Sequence, residues 1–126
     1  MVDQSPPRRS ECPIAGSLDI LGDKWTLLVM RDLLDGKTRF SQFERSPEGI
    51  PTNILTDRLR RIEAAGLAQR IKNDATGRFE YHPTDSGWAL RPVLLALAAW
   101  GNDHLEETWT PPADYLAPPS QDRAPR

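Results

Sequence analysis

Apolar residues recur at the spacing of α-helices along much of the chain, and short Gly- or Pro-containing breaks separate the segments. The spacing predicts a short helix over residues 14–21, a second helix over 24–34 and one or two helical turns over 40–45. A fourth helix is predicted from about residue 52 to 65, because Gly66 is the residue type that commonly follows a helix end. Since the second of these segments is apolar on most sides, we expect it at the centre of the fold.

After the fourth helix the pattern changes to the two-residue alternation of β-strands. Strands are predicted over residues 67–72 and 78–82, and the polar loop 73–77 between them favours an antiparallel hairpin. Residues 37–39 form a further short extended piece. The chain therefore contains a small β-element inside a mostly helical sequence.

A long helix is predicted over residues 85–108, interrupted only by Pro92. Two short helices joined by a Gly-containing turn and followed by a β-hairpin are typical of a winged helix-turn-helix. We therefore predict an α+β, mostly α fold of this kind, with a long C-terminal helix that serves dimerisation.

The two ends of the chain differ in composition from its middle. Residues 1–11 are polar and are predicted to be flexible, and residues 111–126 hold five of the twelve prolines and are predicted to be a disordered tail. Residues 12–110 form the predicted DNA-binding domain. The N-terminus has no apolar signal-peptide core, and no apolar run approaches the roughly 18 residues that span a bilayer, so we expect a cytoplasmic protein without membrane contact.

Charge is distributed unevenly, although the net charge is only −2. Residues 37–78 carry nine basic and five acidic side chains, whereas acidic side chains outnumber basic ones on both sides of this segment. A basic middle between acidic ends indicates a face that meets an anion such as nucleic acid. A chance imbalance among solvated charges is the alternative reading.

The predicted fourth helix has two different faces. Leu55, Leu59 and Ile62 form a stripe that faces the core, and Asn53 and Arg60 lie on the opposite side. Asn can bond adenine, and Arg can bond guanine, through the edges that these bases present in the major groove. An ordinary amphipathic surface helix is the alternative, but the basic hairpin that follows favours DNA. The predicted DNA contacts are Arg39, Ser41, Thr52, Asn53, Thr56, Arg58, Arg60, Arg61, Lys72 and Arg78.

Two side chains of the fourth helix, Arg58 and Asp57, have further expected neighbours. Arg58, at the edge of the apolar stripe, is expected either to pair with a local acid such as Glu63 or to hold a phosphate. Asp57 points outward and would repel phosphate, so we expect it to orient a neighbouring basic residue.

The predicted C-terminal helix is apolar on two sides. One broad face carries Leu90, Val93, Leu94, Leu97 and Trp100, and two further apolar residues lie on nearly the opposite side. One side can pack on its own domain and the other on a second copy of the chain, since two-fold dimers are the commonest oligomers. Packing of the extra face on the first helix of the same chain is the alternative.

Candidate enzyme chemistry is lacking in the sequence. Cys12 is the single cysteine and only two histidines exist, so no spacing suits a metal site, and no Ser/His/Asp group or phosphate-binding glycine loop occurs. We expect no cofactor and no catalytic activity. The open alternatives are a dimeric regulator that binds duplex DNA and a protein-interaction module whose basic face meets an acidic partner.

The chain resembles the HxlR-type family of bacterial winged-helix regulators from residue 12 to about residue 100. The motifs that carry the resemblance are Cys12-Pro13, Gly22-Asp23-Lys24-Trp25-Thr26, Arg39-Phe40-Ser41, Gly49-Ile50, Leu55-Thr56-Asp57-Arg58-Leu59, Glu63-Ala64-Ala65-Gly66-Leu67 and Thr84-Asp85-Ser86-Gly87.

The resemblance implies a homodimer built by the first and last helices, which adds Ile14 and Leu18 to the predicted interface. It implies recognition through residues 52–61, wing contacts near Lys72 and Arg78, a pseudo-palindromic operator and control of a nearby gene, often by repression. It also implies a thiol sensor at Cys12 that responds to an oxidant or a small-molecule effector. Simple packing of Cys12 at the start of the first helix is the alternative.

Overall fold

The computed structural model describes residues 8–119, and these residues confirm the predicted α+β winged helix-turn-helix. The elements follow one another as α1 (Pro13–Leu21), α2 (Thr26–Leu34), α3 (Phe40–Glu44), α4 (Thr52–Ala64), β1 (Ala68–Lys72), β2 (Phe79–Pro83), α5 (Asp85–Trp88) and α6 (Arg91–His104).

The core forms around α2, as its apolar composition predicts. Helix α4 packs against α2 through the predicted stripe, whose three apolar residues are almost fully buried. Burial of each such side chain stabilises the fold by about 1.5–3 kcal/mol. The buried core residues are Val29, Met30, Leu33, Phe43, Ile50, Leu55, Leu59, Ile62, Leu67, Ala68 and Leu90.

The hairpin of β1 and β2 is antiparallel, with Arg70 opposite Tyr81 and Lys72 opposite Phe79. The backbone N–H of Tyr81 donates to the carbonyl of Thr38 over 2.8 Å, so the predicted extended piece lies along the edge of β2. We refer to residues 68–83 as the wing.

The predicted C-terminal helix is divided into α5 and α6 by a break at residues 89–90, just before the predicted interruption at Pro92, and α6 ends at His104 rather than near residue 108. Gly87 packs so closely against the carbonyl of Leu67 that a Cβ atom at this position would clash with it. Pro92 then stands in the first turn of α6, where it lacks the N–H that a continuous helix needs and its ring would clash with the preceding turn. The helix therefore restarts at Arg91.

The structure also differs from the predicted disordered tail over residues 111–119. Leu116 is only 5% exposed, and the Arg91 guanidinium donates to the carbonyls of Tyr115 and Ala113 over 2.9 and 3.2 Å. The ring of Tyr115 meets that of Trp109 edge to face. Proline content indicated disorder, but a single buried leucine and a donor on α6 are enough to fix this segment.

The predictions for the chain ends fall partly outside the structure. Residues 1–7 and 120–126 lie outside the described residues. Within the predicted flexible N-terminus, Arg9 pairs with Asp19 of α1, Nε to Oδ1 over 2.5 Å. Among residues 8–119, no helix is long and apolar enough to cross a membrane.

An ion-pair network ties α2 to the turn before α4. Arg31 donates from both Nη atoms to the two carboxylate oxygens of Glu48, over 2.8 and 2.7 Å, and Ser46 Oγ donates to Glu48 over 2.8 Å. These hydrogen bonds, that from Arg31 above all, lower the pKa of Glu48 to about 2.

We expect Glu48→Gln to lower the free energy of unfolding at pH 7 by about 1 kcal/mol, because the pair is partly solvent-screened. Since the pKa of Glu48 is lowered in the folded state, its contribution is complete above the ordinary pKa of 4.5 and is lost as pH falls towards about 2. Urea titrations at a series of pH values measure this difference. Glu106→Gln is the control because Glu106 is exposed. An equal loss of stability at pH 2 and pH 7 would contradict the assignment.

Candidate nucleic-acid interface

Helix α4 presents polar side chains to solvent on the side opposite its buried stripe. Asn53, Arg60 and Arg61 are exposed, and the amide of Asn53 has no hydrogen-bond partner among residues 8–119. Thr52 donates from Oγ1 to Glu44 over 3.2 Å, and Thr56 donates from Oγ1 to the carbonyl of Thr52 over 3.0 Å. The outer face therefore offers one free amide and two guanidinium groups.

Asp57 has the orienting role expected from the sequence. Its carboxylate pairs with Arg61 Nε over 2.9 Å and accepts a hydrogen bond from Arg58 Nη1. The ion pair restrains the Arg61 side chain along the helix surface while leaving its guanidinium exposed.

Arg58 does not face the outer surface. Its Nε donates to Oδ2 of Asp23 over 2.7 Å, and its side chain is only 13% exposed. The prediction that Arg58 pairs with an acid is confirmed, but its partners are Asp23 and Asp57 rather than Glu63, which lies on the other flank of α4. Arg58 is therefore held inside the protein and is unsuited to bind DNA.

Asp23 joins this pair to the start of α2. Its Oδ2 accepts from the backbone N–H groups of Trp25 and Thr26 over 3.0 and 3.1 Å, at the point where α2 begins. The helix starts at Thr26, two residues later than predicted. Burial alone would raise the pKa of Asp23, but hydrogen bonds from Thr26 and Arg58 hold it well below its ordinary range.

The wing places Lys72 and Arg78 on either side of its tip, and both are exposed. The tip is closed by two backbone hydrogen bonds, from Asn73 to the carbonyl of Arg78 over 2.8 Å and from Gly77 to the carbonyl of Asn73 over 2.7 Å. Gly77 has φ +73°, a conformation that favours glycine. Arg39 and Ser41 are also exposed, at and just after the N-cap of α3.

A depression of about 290 Å³ separates α4 from the wing. We call it the crease. It is lined by Phe40, Thr56, Leu59, Arg60, Glu63, Arg70 and Tyr81. The side chain of Arg70 stacks over the ring of Phe79 at 4.6 Å. Arg70 is not among the predicted DNA contacts, although it lies two residues before Lys72 in a predicted strand, which puts both cations on one face.

Comparison with known proteins identifies the family of this chain. Residues 20–109 match the HxlR-like helix-turn-helix family. The chain belongs to the HxlR family.

The HxlR relatives include proteins of known sequence and of known structure. The uncharacterized HTH-type transcriptional regulator YybR of Bacillus subtilis is 33% identical over 79% of this chain and 81% of YybR. The crystal structure of PA1607 is similar with a TM-score of 0.75 and 37% identity, over 81% of this chain and 73% of PA1607. The redox regulator HypR in its oxidized form has a TM-score of 0.66 and 34% identity, over 73% of this chain and 96% of HypR.

The family membership confirms that this chain is a DNA-binding transcriptional regulator with a winged helix-turn-helix. Its curated relatives are transcriptional regulators rather than enzymes. The individual DNA contacts on α4, α3 and the wing stay predictions, from which the internal position of Arg58 removes one.

The HxlR chain leaves two helices with uncovered apolar faces. Ile14 and Leu18 on α1 and Val93, Leu97 and Trp100 on α6 are all exposed, with values of 70% for Ile14 and 60% for Trp100. A groove of about 570 Å³ runs along the α6 face. Because both faces remain exposed in a single chain, the alternative in which they cover each other is wrong.

Two predicted interface residues are less exposed than the others. Leu90 is 9% exposed and belongs to the core of its own chain, and Leu94 is half-buried. Helical periodicity groups both residues with Val93 and Leu97, but it does not show which apolar side chains the rest of the same chain covers. Leu90 is the N-cap of α6 and packs in the core, whereas Val93 and Leu97 are exposed.

Cys12 is exposed and free, at the N-cap of α1. Its backbone N–H donates to Ser10 Oγ over 3.2 Å. The alternative in which Cys12 is packed at the start of α1 is therefore wrong, and its thiol is accessible to solvent.

Proposed function

We propose that this HxlR-family protein acts as a homodimer that binds a pseudo-palindromic operator and represses the adjacent gene. The observation that supports the proposal is the exposed polar face of α4, held to the core by a buried stripe and flanked by a basic wing. An α-helix fits the major groove of duplex DNA, and its outer side chains then reach the base edges. Such a protein would act in the cytoplasm.

Asn53 is the side chain best placed to read a base. It lies in the first turn of α4, and the N-terminal residues of this helix contact base edges in helix-turn-helix complexes. Its amide is free, and an amide can donate to and accept from adenine at the same time. Arg61 is restrained by Asp57, and its exposed guanidinium is available to a base edge or a phosphate.

Dimerisation is supported by the apolar faces of α1 and α6. Five large apolar side chains are exposed on these faces, and covering each would be favourable by about 1.5–3 kcal/mol at most. A two-fold dimer presents two copies of α4, so its operator would contain two half-sites about 10 bp apart or a multiple of that spacing.

Repression follows most simply from occupancy. A dimer that covers an operator within a promoter blocks access to that segment, and this outcome needs no additional contact with the transcription machinery. A reporter gene fused to the selected operator tests the sign of regulation, since deletion of the regulator then raises expression.

Selection of bound duplexes from a random pool tests the proposal. The Asn53→Ala variant tests the role assigned to Asn53. The unaltered protein is expected to select an inverted repeat. Asn53→Ala is expected to weaken binding to that repeat by about 1–3 kcal/mol per half-site and to relax the preference at one position in each half. Fluorescence anisotropy titrations measure the affinity of both proteins for the repeat and for a scrambled duplex. For the scrambled duplex, Asn53→Ala is expected to bind as tightly as the unaltered protein. Recovery of no duplex by the unaltered protein contradicts the proposed function.

A thiol response through Cys12 is a second candidate function. The exposure of Cys12 at the start of α1, beside the apolar face proposed as an interface, supports it, as does similarity to the redox regulator HypR. Modification at this position would then alter dimer contacts and so operator affinity. Repeating the selection with an oxidant, on the unaltered protein and on Cys12→Ser, tests it, because only the former can respond through this thiol.

A further inference from the structure

The crease combines two unpaired cations with an apolar floor. Arg60 from α4 and Arg70 from β1 line it, and neither guanidinium has an ion-pair partner among residues 8–119. Leu59, which is buried, and Phe40 and Tyr81, which are partly buried, form its apolar part. Burial raises the pKa of Tyr81; among the weaker influences, the charges of Arg70 and Arg60 lower it and that of Glu63 raises it.

The crease has a defined position relative to DNA if α4 occupies the major groove and the wing occupies the neighbouring minor groove or its edge. Successive grooves of a duplex are separated by one sugar-phosphate strand. Because the crease lies between α4 and the wing, this strand must cross it in the proposed complex. The argument therefore rests on the proposed function.

We propose that the crease is a phosphate clamp in which Arg60 and Arg70 together hold a backbone phosphodiester of the strand between the two grooves. This assigns Arg60 to the backbone rather than to guanine, and it adds Arg70 to the interface. Guanidinium groups suit this role, because their forked donors match the oxygens of a phosphate.

Phe79 acts as a positioning residue for the clamp. Its ring is 51% exposed, and the Arg70 guanidinium stacks above it. Stacking restricts the Arg70 side chain before DNA arrives, which reduces the entropy lost on binding. The exposure of Phe79 is explained by this role, since the ring contributes little to the core.

Glu63 is the one acidic side chain in the lining of the crease. It has no ion-pair partner among the described residues, and it lies on α4 beside the same space as Arg60. A carboxylate near a bound phosphodiester repels it. Glu63 therefore weakens the clamp. Its replacement is expected to strengthen duplex binding, whereas replacement of either arginine is expected to weaken it.

The salt dependence of duplex binding tests the clamp, because each phosphate contact that is lost lowers the slope of log K against log salt by about one. The probes are a random-sequence 30-bp duplex of roughly three helical turns and the selected operator. Arg60→Gln and Arg70→Gln are each expected to reduce this slope by about one per protomer and to weaken both probes by roughly tenfold per contact at 0.1 M salt. Glu63→Gln is expected to strengthen both several-fold.

Two controls separate charge from geometry. Arg9→Gln removes an exposed charge on the α1 side of the molecule and is expected to leave the slope unchanged. Phe79→Leu keeps every charge, so it is expected to lower affinity while retaining the slope. Since all of these side chains are exposed, thermal unfolding of the variants should match that of the unaltered protein.

The outcomes distinguish the clamp from the function on which it depends. If the unaltered protein binds neither probe at low salt, the proposed function is wrong. If it binds both and the slope is unchanged in Arg70→Gln, the clamp is wrong while the function stands. An Arg60→Gln variant that changes preference at one base position and keeps the slope assigns Arg60 to a base edge and also overturns the clamp.

Discussion

Replacement of Leu97 by glutamate is expected to convert the protein from a dimer to a monomer and to weaken operator binding by about 100-fold or more. Leu97 lies within the exposed apolar groove of α6, beside Val93 and Trp100. A carboxylate buried without a partner costs several kcal/mol, so the dimer would dissociate. Each half-site would then be bound separately, and the gain that two linked contacts provide, often 10²- to 10⁴-fold, would be lost.

The control for this prediction is Leu97→Met, which keeps an apolar side chain of similar volume and is expected to remain dimeric. Sedimentation velocity measures the oligomeric state, and anisotropy measures operator affinity. Because Leu97 is exposed in the single chain, neither substitution should unfold the monomer. A glutamate variant that still sediments as a dimer would show that α6 does not form the interface.

Arg58→Ala is expected to lower the free energy of unfolding by about 2–3 kcal/mol, because it leaves the Asp23 carboxylate without its charged partner. Asp23 also accepts hydrogen bonds from the first turn of α2, so the loss affects the junction between α2 and α4. Operator affinity should fall as well, since the pair fixes the position of α4. Urea unfolding and anisotropy measure the two effects.

Arg61→Ala is the matched control for stability, since Arg61 lies three residues further along the same helix and also pairs with Asp57. Its side chain is 60% exposed, and such surface pairs contribute about 0–1 kcal/mol. Arg61→Ala should therefore leave stability nearly unchanged. If the two variants lose the same free energy of unfolding, the contact between Arg58 and Asp23 has no special structural role.

The succession of elements and the buried stripe of α4 could be predicted from the sequence because both follow from local periodicity. Leu55, Leu59 and Ile62 recur at helical spacing, and the structure buries all three. Gly66, with φ +77°, similarly lies just after the end of the helix that the sequence predicts. Local spacing carries this information because it depends only on neighbours along the chain.

Contacts between distant residues could not be predicted in the same way. Asp23 and Arg58 are 35 positions apart, and periodicity placed Arg58 only at the edge of the stripe. Arg70 became a candidate only when the crease brought it near Arg60. Leu90 lies at helical spacing from Val93 and Leu97, and nothing in its own segment shows that the core of the same chain covers it.

The C-terminal segment over residues 111–119 shows that amino-acid composition does not predict whether a proline-rich segment packs. Its prolines indicate an extended chain, and residues 111–119 do lack regular helix or strand. Whether such a segment packs depends on partners elsewhere, here on Arg91 and on a site that buries Leu116. Amino-acid composition alone reveals neither the contact with Arg91 nor the site that buries Leu116.

The central claim is that the outer face of α4 meets duplex DNA while the apolar face of α6 meets a second copy. Amide chemical-shift mapping with the selected operator tests it most directly, because it shows which of the two surfaces, α4 or α6, meets DNA. The account predicts that the largest changes occur over residues 52–61 and in the wing, with little change over 93–100 on α6. Changes confined to α1 and α6, with none on α4, would contradict it.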